Sequence, residues 1–161
     1  MTSRPVFLSR PVLVAAALIL QAVLLVAAVA PRLSARMTGT EYQLAVGLVD
    51  PIDPLRGAYA HLDYPGLPRA DGQSQGRVYV PLARDDGLWS GSSIVRQRPA
   101  SGPYIACESA GYGWLSCGID SLFLPQDEAA LVQNQLAGNR MAAVVKIDAD
   151  GNAAVVRLAS R

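Results

Sequence analysis

From Val12 to Ala30 the chain is apolar without interruption except at Gln21, and this run limits everything that can follow it. About twenty such residues, rising ~1.5 Å each as a helix, cross the ~30 Å hydrocarbon layer of a bilayer. A helix packed in a soluble core would keep a polar face, and this run has none. Met1 to Arg10 carries Arg4 and Arg10 and no acid. Two fates fit that pattern: a retained anchor, or a signal peptide cut after Ala28-Val29-Ala30. The run is longer than the roughly 7–15 apolar residues of a signal peptide, and Pro31 would follow the cut directly. The expectation is therefore a retained anchor. Residues 1–11 form a short basic segment, 12–30 a span in contact with membrane lipid, 31–40 a juxtamembrane connector and 41–161 a folded domain. Arg32 and Arg36 follow the span, so the positive-inside rule comes close to a tie. A short basic segment ahead of the first span, with a folded domain behind it, favours a cytoplasmic N-terminus and an exported C-terminal domain.

Within that domain the densest local information lies in Asp50-Pro51-Ile52-Asp53-Pro54-Leu55-Arg56-Gly57, followed by Ala58-Tyr59-Ala60-His61-Leu62-Asp63-Tyr64. Each proline fixes its own φ and moves the residue before it out of the α region. The Asp side chains can bond back to nearby amides as turn formers. Gly57 permits a positive φ or a close backbone approach. Ala58, Ala60, Leu62 and Tyr64 then alternate with Tyr59, His61 and Asp63, the period of a half-buried strand. The stretch reads as a rigid corner feeding a strand, with Arg56 held at the corner by Asp50, Asp53 or turn carbonyls.

Gly57-Ala58-Tyr59-Ala60-His61-Leu62-Asp63-Tyr64 resembles the signature of the GDYXXLXY family of bacterial membrane-anchored proteins. Gly57, Tyr59, Leu62 and Tyr64 match, and Ala58 stands where the motif has Asp. The lead-in from Asp50 to Arg56 and the stretch from Tyr112 to Pro125 carry the same likeness. The resemblance implies a fold type, an envelope address and the company of polytopic membrane proteins. It implies no reaction, and the absent Asp removes any carboxylate role at that position. Asp50, Asp53, Arg56, Gly57, Tyr59, Leu62 and Tyr64 are thus the candidate binding residues.

The rest of the domain reads as short strands. They are Glu41 to Leu48, the motif strand, Arg77 to Leu82, Trp89 to Arg98, Tyr104 to Cys107, Trp114 to Ile119, Met141 to Ile147 and Ala153 to Leu158. Arg69 to Gly76 reads as a polar loop, and Asp85-Asp86-Gly87, Ala110 to Gly113 and Asp148 to Asn152 as turns. Pro125, Asp127 and Glu128 open a helix over Gln126 to Leu136, which Gly138-Asn139 ends. The fold class expected is mainly β: one transmembrane helix, then a compact antiparallel barrel- or sandwich-like domain with one accessory helix.

The chemistry is thin. A net charge of +1 without a basic cluster argues against nucleic acid as a partner. His61 is the only histidine and reads as a surface residue. Asp50, Asp53 and Asp63 supply too few oxygens for a hard cation, so neither a metal nor a cofactor is expected. Lys146, the sole lysine, has no neighbouring serine for a Ser-Lys pair, and no Gly-x-Ser-x-Gly elbow occurs. Cys107 and Cys117 are the whole thiol inventory. In an exported domain, one in each arm of a hairpin, they are expected to form a disulfide. The reading is a membrane-anchored envelope protein, a non-enzymatic accessory or binding subunit of a polytopic membrane protein. An envelope hydrolase with an unrecognised site is the alternative.

Overall fold

The computed structural model describes residues 10–50, 59–113, 115–123 and 141–160. Side chains of residues 10, 48–50, 59–61, 71 and 123 stay outside that description. The chain divides into two compact units, Met1–Pro31 and Arg32–Arg161.

In the first unit the apolar run is helical. It belongs to α1 (Arg10–Thr38), and Pro11–Thr38 is long and apolar enough to cross a membrane. Its Val, Leu and Ile side chains between residues 12 and 29 are all solvent-exposed, so no protein core explains their hydrophobicity.

The second unit opens with the last turns of α1. The juxtamembrane connector is thus helical through Thr38. Local bonds explain this. Thr38 Oγ1 donates to the Ser34 carbonyl at 2.9 Å, and Lys146 Nζ donates to the Arg36 carbonyl at 3.1 Å. Ala35 is fully buried. The chain then turns at Gly39, whose N–H closes on the Ala35 carbonyl at 3.0 Å. A Cβ at Gly39 would collide with that carbonyl oxygen and reach within 2.9 Å of the Ile147 nitrogen. Only glycine fits there.

Strands follow: β1 (Thr40–Ala45), β2 (Gly47–Asp50), β3 (Tyr59–Asp63), β4 (Ala70–Pro81), β5 (Ala83–Asp85), β6 (Leu88–Ser90), β7 (Tyr104–Gly113), β8 (Leu115–Ser116), β9 (Ser121–Phe123), β10 (Met141–Ile147) and β11 (Ala153–Ser160). Among the described residues they form three sheets, ordered β11-β10-β1-β6-β5, β2-β3-β9 and β4-β7-β8. All pairings are antiparallel except β1 with β6, which meet at Leu44 and Trp89. Among the described residues the sheets do not close into a barrel, and the arrangement is sandwich-like. One core takes Leu44, Leu62, Val78, Val80, Ile105, Ala143 and Val145 from all three, with Val46 and Ile119 from the links between strands.

Several expectations change. Glu41 to Leu48 is not one strand: fully buried Val46 breaks it, and the chain passes from the β10 sheet to the β3 sheet there. The polar stretch Arg69 to Gly76 is largely strand, the first half of β4. Its partners are the end of β7, Ser109 to Gly113, which sequence marked partly as a turn. Cross-strand bonds override composition here. Ser109 Oγ donates to the Ser74 carbonyl at 2.6 Å, and the Tyr112 ring lies against Gly72 where a side chain would stand. The glycines are absorbed by a register shift between Asp71 and Gln75, with Gly72 and Gly76 at positive φ. Trp89 to Arg98 is strand only as far as Ser90, with one further bridge at Val95. The return arm of the cysteine hairpin shortens to β8. The two C-terminal strands and the Asp148 turn between them stand as expected. The helix expected over Gln126 to Leu136 lies outside the described residues.

Candidate functional site

β3 places the signature. On one side it pairs with β2 (Gly47 opposite Asp63, Leu48 opposite Leu62, Asp50 opposite His61). On the other it pairs with β9 (Tyr59 opposite Phe123, Ala60 opposite Leu122, His61 opposite Ser121). A central strand of this kind must bury one face, and the alternation decides which. Leu62 is 2% exposed and Tyr64 just beyond the strand is 7% exposed. Asp63 between them faces the other way and keeps a 3.6 Å ion pair with Arg69. The backbone of Asp50 and Tyr59 thus comes to one end of a two-strand ladder. The corner residues Asp53, Arg56 and Gly57, with the expected Arg56 ion pair, lie outside the described residues. So do the side chains of Asp50, Tyr59 and His61.

Tyr64 anchors a second contact. Its hydroxyl donates to the Ile119 carbonyl at 2.9 Å, and the Leu62 N–H donates to the Asp120 carbonyl at 2.9 Å. Burial pushes the Tyr64 phenol far above its ordinary value, and the charge of Asp120 pushes it the same way. The group is therefore held neutral, as a hydrogen-bond donor with no role as a base. A small pocket lies beside it, lined by Leu62, Asp63, Tyr64, Arg69, Cys117 and Asp120 among others, with about 30 Å³ of space. That holds about one water molecule. Arg69, Ile119 and Asp120 join the signature only through tertiary pairing; Ile119 and Asp120 fall in the Tyr112 to Pro125 stretch that carries the family likeness, and nothing local marks Arg69.

Cys117 closes the pocket wall. Its sulfur is 2.05 Å from that of Cys107, with the Cα atoms 4.1 Å apart. The ladder explains the match, since Glu108 faces Ser116 and Ser109 faces Leu115, and the next facing pair outward is the two cysteines. The expected disulfide is thus present, and its Cys117 end lies two residues before the Ile119 whose carbonyl accepts from Tyr64.

A second cleft lies where α1 enters the domain, lined by Thr38, Thr40, Tyr42, Tyr104 and Asp148 among others. Tyr104 donates its hydroxyl to the Ala149 carbonyl at 2.8 Å. Asp148 accepts from the N–H groups of Asp150 and Asn152, from Asn152 Nδ2 (each at 2.9 Å) and from Ser34 Oγ at 2.6 Å. Desolvation raises the Asp148 carboxyl, yet those hydrogen bonds together outweigh it and hold the group below its ordinary value. The sequence identified this turn, but Ser34 lies too far away along the chain for any local pattern to connect the two.

The family model described as GDYXXLXY protein matches residues 21–158. No curated protein and no solved structure matches the chain.

Proposed function

The chain belongs to the GDYXXLXY family, and on that premise we propose that it is a single-pass envelope protein whose β domain is an accessory or binding subunit for a polytopic membrane protein. The observation that carries this reading is the use made of the signature. Leu62 is spent on the core, and Tyr64 on a buried bond to the Ile119 carbonyl. A motif whose described members serve packing marks a fold that presents a surface. The exposed apolar helix supports membrane anchoring. The Cys107–Cys117 bond supports export, because such bonds persist in oxidising compartments. The N-terminus is then cytoplasmic.

The span offers a means of association. Ala15, Ala16, Ala17, Ala22, Ala27 and Ala28 allow close helix approach, and Gln21 can hydrogen-bond across a helix interface. Full-length protein drawn from membranes in mild detergent should bring a stoichiometric polytopic partner. Gln21→Leu should reduce that partner several-fold while insertion is unchanged. Wild-type protein that comes out alone would sink the accessory reading. Intact mass of the membrane-bound form should begin at Met1 or Thr2; a form beginning at Pro31 would sink the anchor.

A further inference from the structure

The cleft at the helix end of the domain has a chemistry that the signature does not account for. Its volume is about 320 Å³, at the lower end of the roughly 300–1,000 Å³ of small-ligand pockets. Tyr42 and Tyr104 give it aromatic walls, and Thr38 and Thr40 add hydroxyl groups. Tyr42 is held edge-on to Trp89, with ring centroids 5.0 Å apart, and Tyr104 edge-on to Tyr79 at 5.7 Å. Both rings are fixed by packing before any ligand arrives.

Asp148 sets the sign of the field. The partners of its carboxylate are a hydroxyl, an amide side chain and two backbone N–H groups, all neutral. They keep the group charged and orient it without cancelling its charge. The neighbouring cation, Arg98, is answered by Asp150 at 3.1 Å. The guanidinium carbon of Arg98 also lies 5.6 Å from the centre of the Tyr104 ring, so one wall of the cleft already holds a cation by its π face. An anion would meet uncompensated negative charge here. A hard metal ion would have to strip the carboxylate of hydrogen bonds that already occupy both oxygens. A soft organic cation needs neither concession: it gains from the aromatic lining, chiefly the partly exposed Tyr42, and from a nearby carboxylate at a distance.

We propose that this cleft binds an organic ammonium group. Two sources carry that chemistry, a soluble amine and the ethanolamine head of a lipid. The second is considered because the apolar run Val12 to Ala30 precedes Thr38 by only a few residues in sequence. The test uses full-length protein. In detergent micelles it is titrated calorimetrically with tetramethylammonium and with ethanolamine, and with glycerol and inorganic phosphate as controls. In nanodiscs, lipid retained by the protein is compared between phosphatidylethanolamine and phosphatidylglycerol. Saturable binding of the amines and not of the controls is expected. Thr40→Lys, at an exposed wall position, installs a competing ammonium and should abolish it. Tyr42→Leu should weaken it about five- to thirtyfold, while Tyr112→Ser, on the exposed arm outside the cleft, should leave it unchanged. Amine binding without lipid preference assigns a soluble ligand, and retention of phosphatidylethanolamine over phosphatidylglycerol that Thr40→Lys removes assigns the lipid. No saturable signal from either source, or equal signal in wild type and Thr40→Lys, overturns the proposal.

Discussion

Two tyrosine–aspartate settings in one domain are put to opposite uses. At the signature, Tyr64 is sealed under the β3–β9 sheet with Asp120 near it and room for about one water. At the helix end, Tyr104 and Asp148 stand around an open cleft about tenfold larger. Each tyrosine gives its hydroxyl to a backbone carbonyl, so the hydrogen bond is not what separates them. The difference lies in where the negative charge goes. Asp148 is surrounded by neutral donors and can remain charged beside solvent. Near Tyr64 burial, and then the charge of Asp120, both disfavour a phenolate. A signature can thus specify a fold while accessible chemistry grows from residues outside it.

Removing the sealed ring should have the largest effect. Tyr64→Ala should cost about 3–5 kcal/mol, the range for deleting a buried aromatic side chain. Denaturant unfolding of the full-length protein in detergent measures it. A loss within ~0.5 kcal/mol of zero would mean that the signature tyrosine is not part of the core, and the contrast with the open cleft would collapse.

Next comes the bond beside it. The Cys107–Cys117 loop, with a sequence separation of 10, should stabilise the domain by about 3 kcal/mol on the chain-entropy account. Unfolding with and without reductant reads this out. Maleimide should label neither thiol in denatured, unreduced protein, and labelling of both would refute the bond.

Much of this was legible before any coordinates. The apolar run, the inward face of Leu62 and Tyr64, the Cys107–Cys117 pairing and the Asp148 turn all follow from local rules: helix length, a period of two, hairpin arms and turn residues. What was not legible depends on contacts between distant segments. Gln73 to Gly76 looks like loop until Ser109 to Gly113 lies beside it. Val46 looks like mid-strand until two sheets compete for the chain on either side of it. Ser34 looks like connector until Asp148 receives its hydroxyl across the domain. The signature drew attention to its own strand, and the open cleft joins the legible Asp148 turn to Thr38, Tyr42 and Tyr104, which no short pattern brings together.

The third experiment compares the two settings in alkali. A folded-state pKa raised above the unfolded value gives stability that is whole below the unfolded value, near 10 for tyrosine, and lost as pH rises toward the folded value. Tyr64 should therefore destabilise the domain above pH ~10, by up to about 1.4 kcal/mol per pH unit. Tyr64→Phe removes that slope, at a fixed cost of about 1–2 kcal/mol for the Ile119 carbonyl left unpaired. Parallel curves for wild type and Tyr64→Phe above pH ~10 would show the phenol to be open to solvent after all.

The smallest effect belongs to the other end of the pH scale and has the opposite sign. The Asp148 carboxyl is depressed in the folded state, so its contribution is present above the unfolded value of 3.8 and is lost as pH falls through the lower, folded value. The group is largely open to water, and solvent screening holds that contribution under ~1 kcal/mol. Asp148→Asn keeps the shape and removes the charge. Its melting temperature should trail wild type by a degree or two at pH 6, and the gap should narrow as pH falls below the unfolded value of 3.8 and the wild-type carboxylate takes up its proton. Ser34→Ala removes one of the donors and should show the same narrowing at smaller size. A gap that stays constant from pH 6 to pH 3 would mean that the four hydrogen bonds hold the turn whether or not Asp148 is charged. The negative field assigned to the cleft would then have to come from elsewhere.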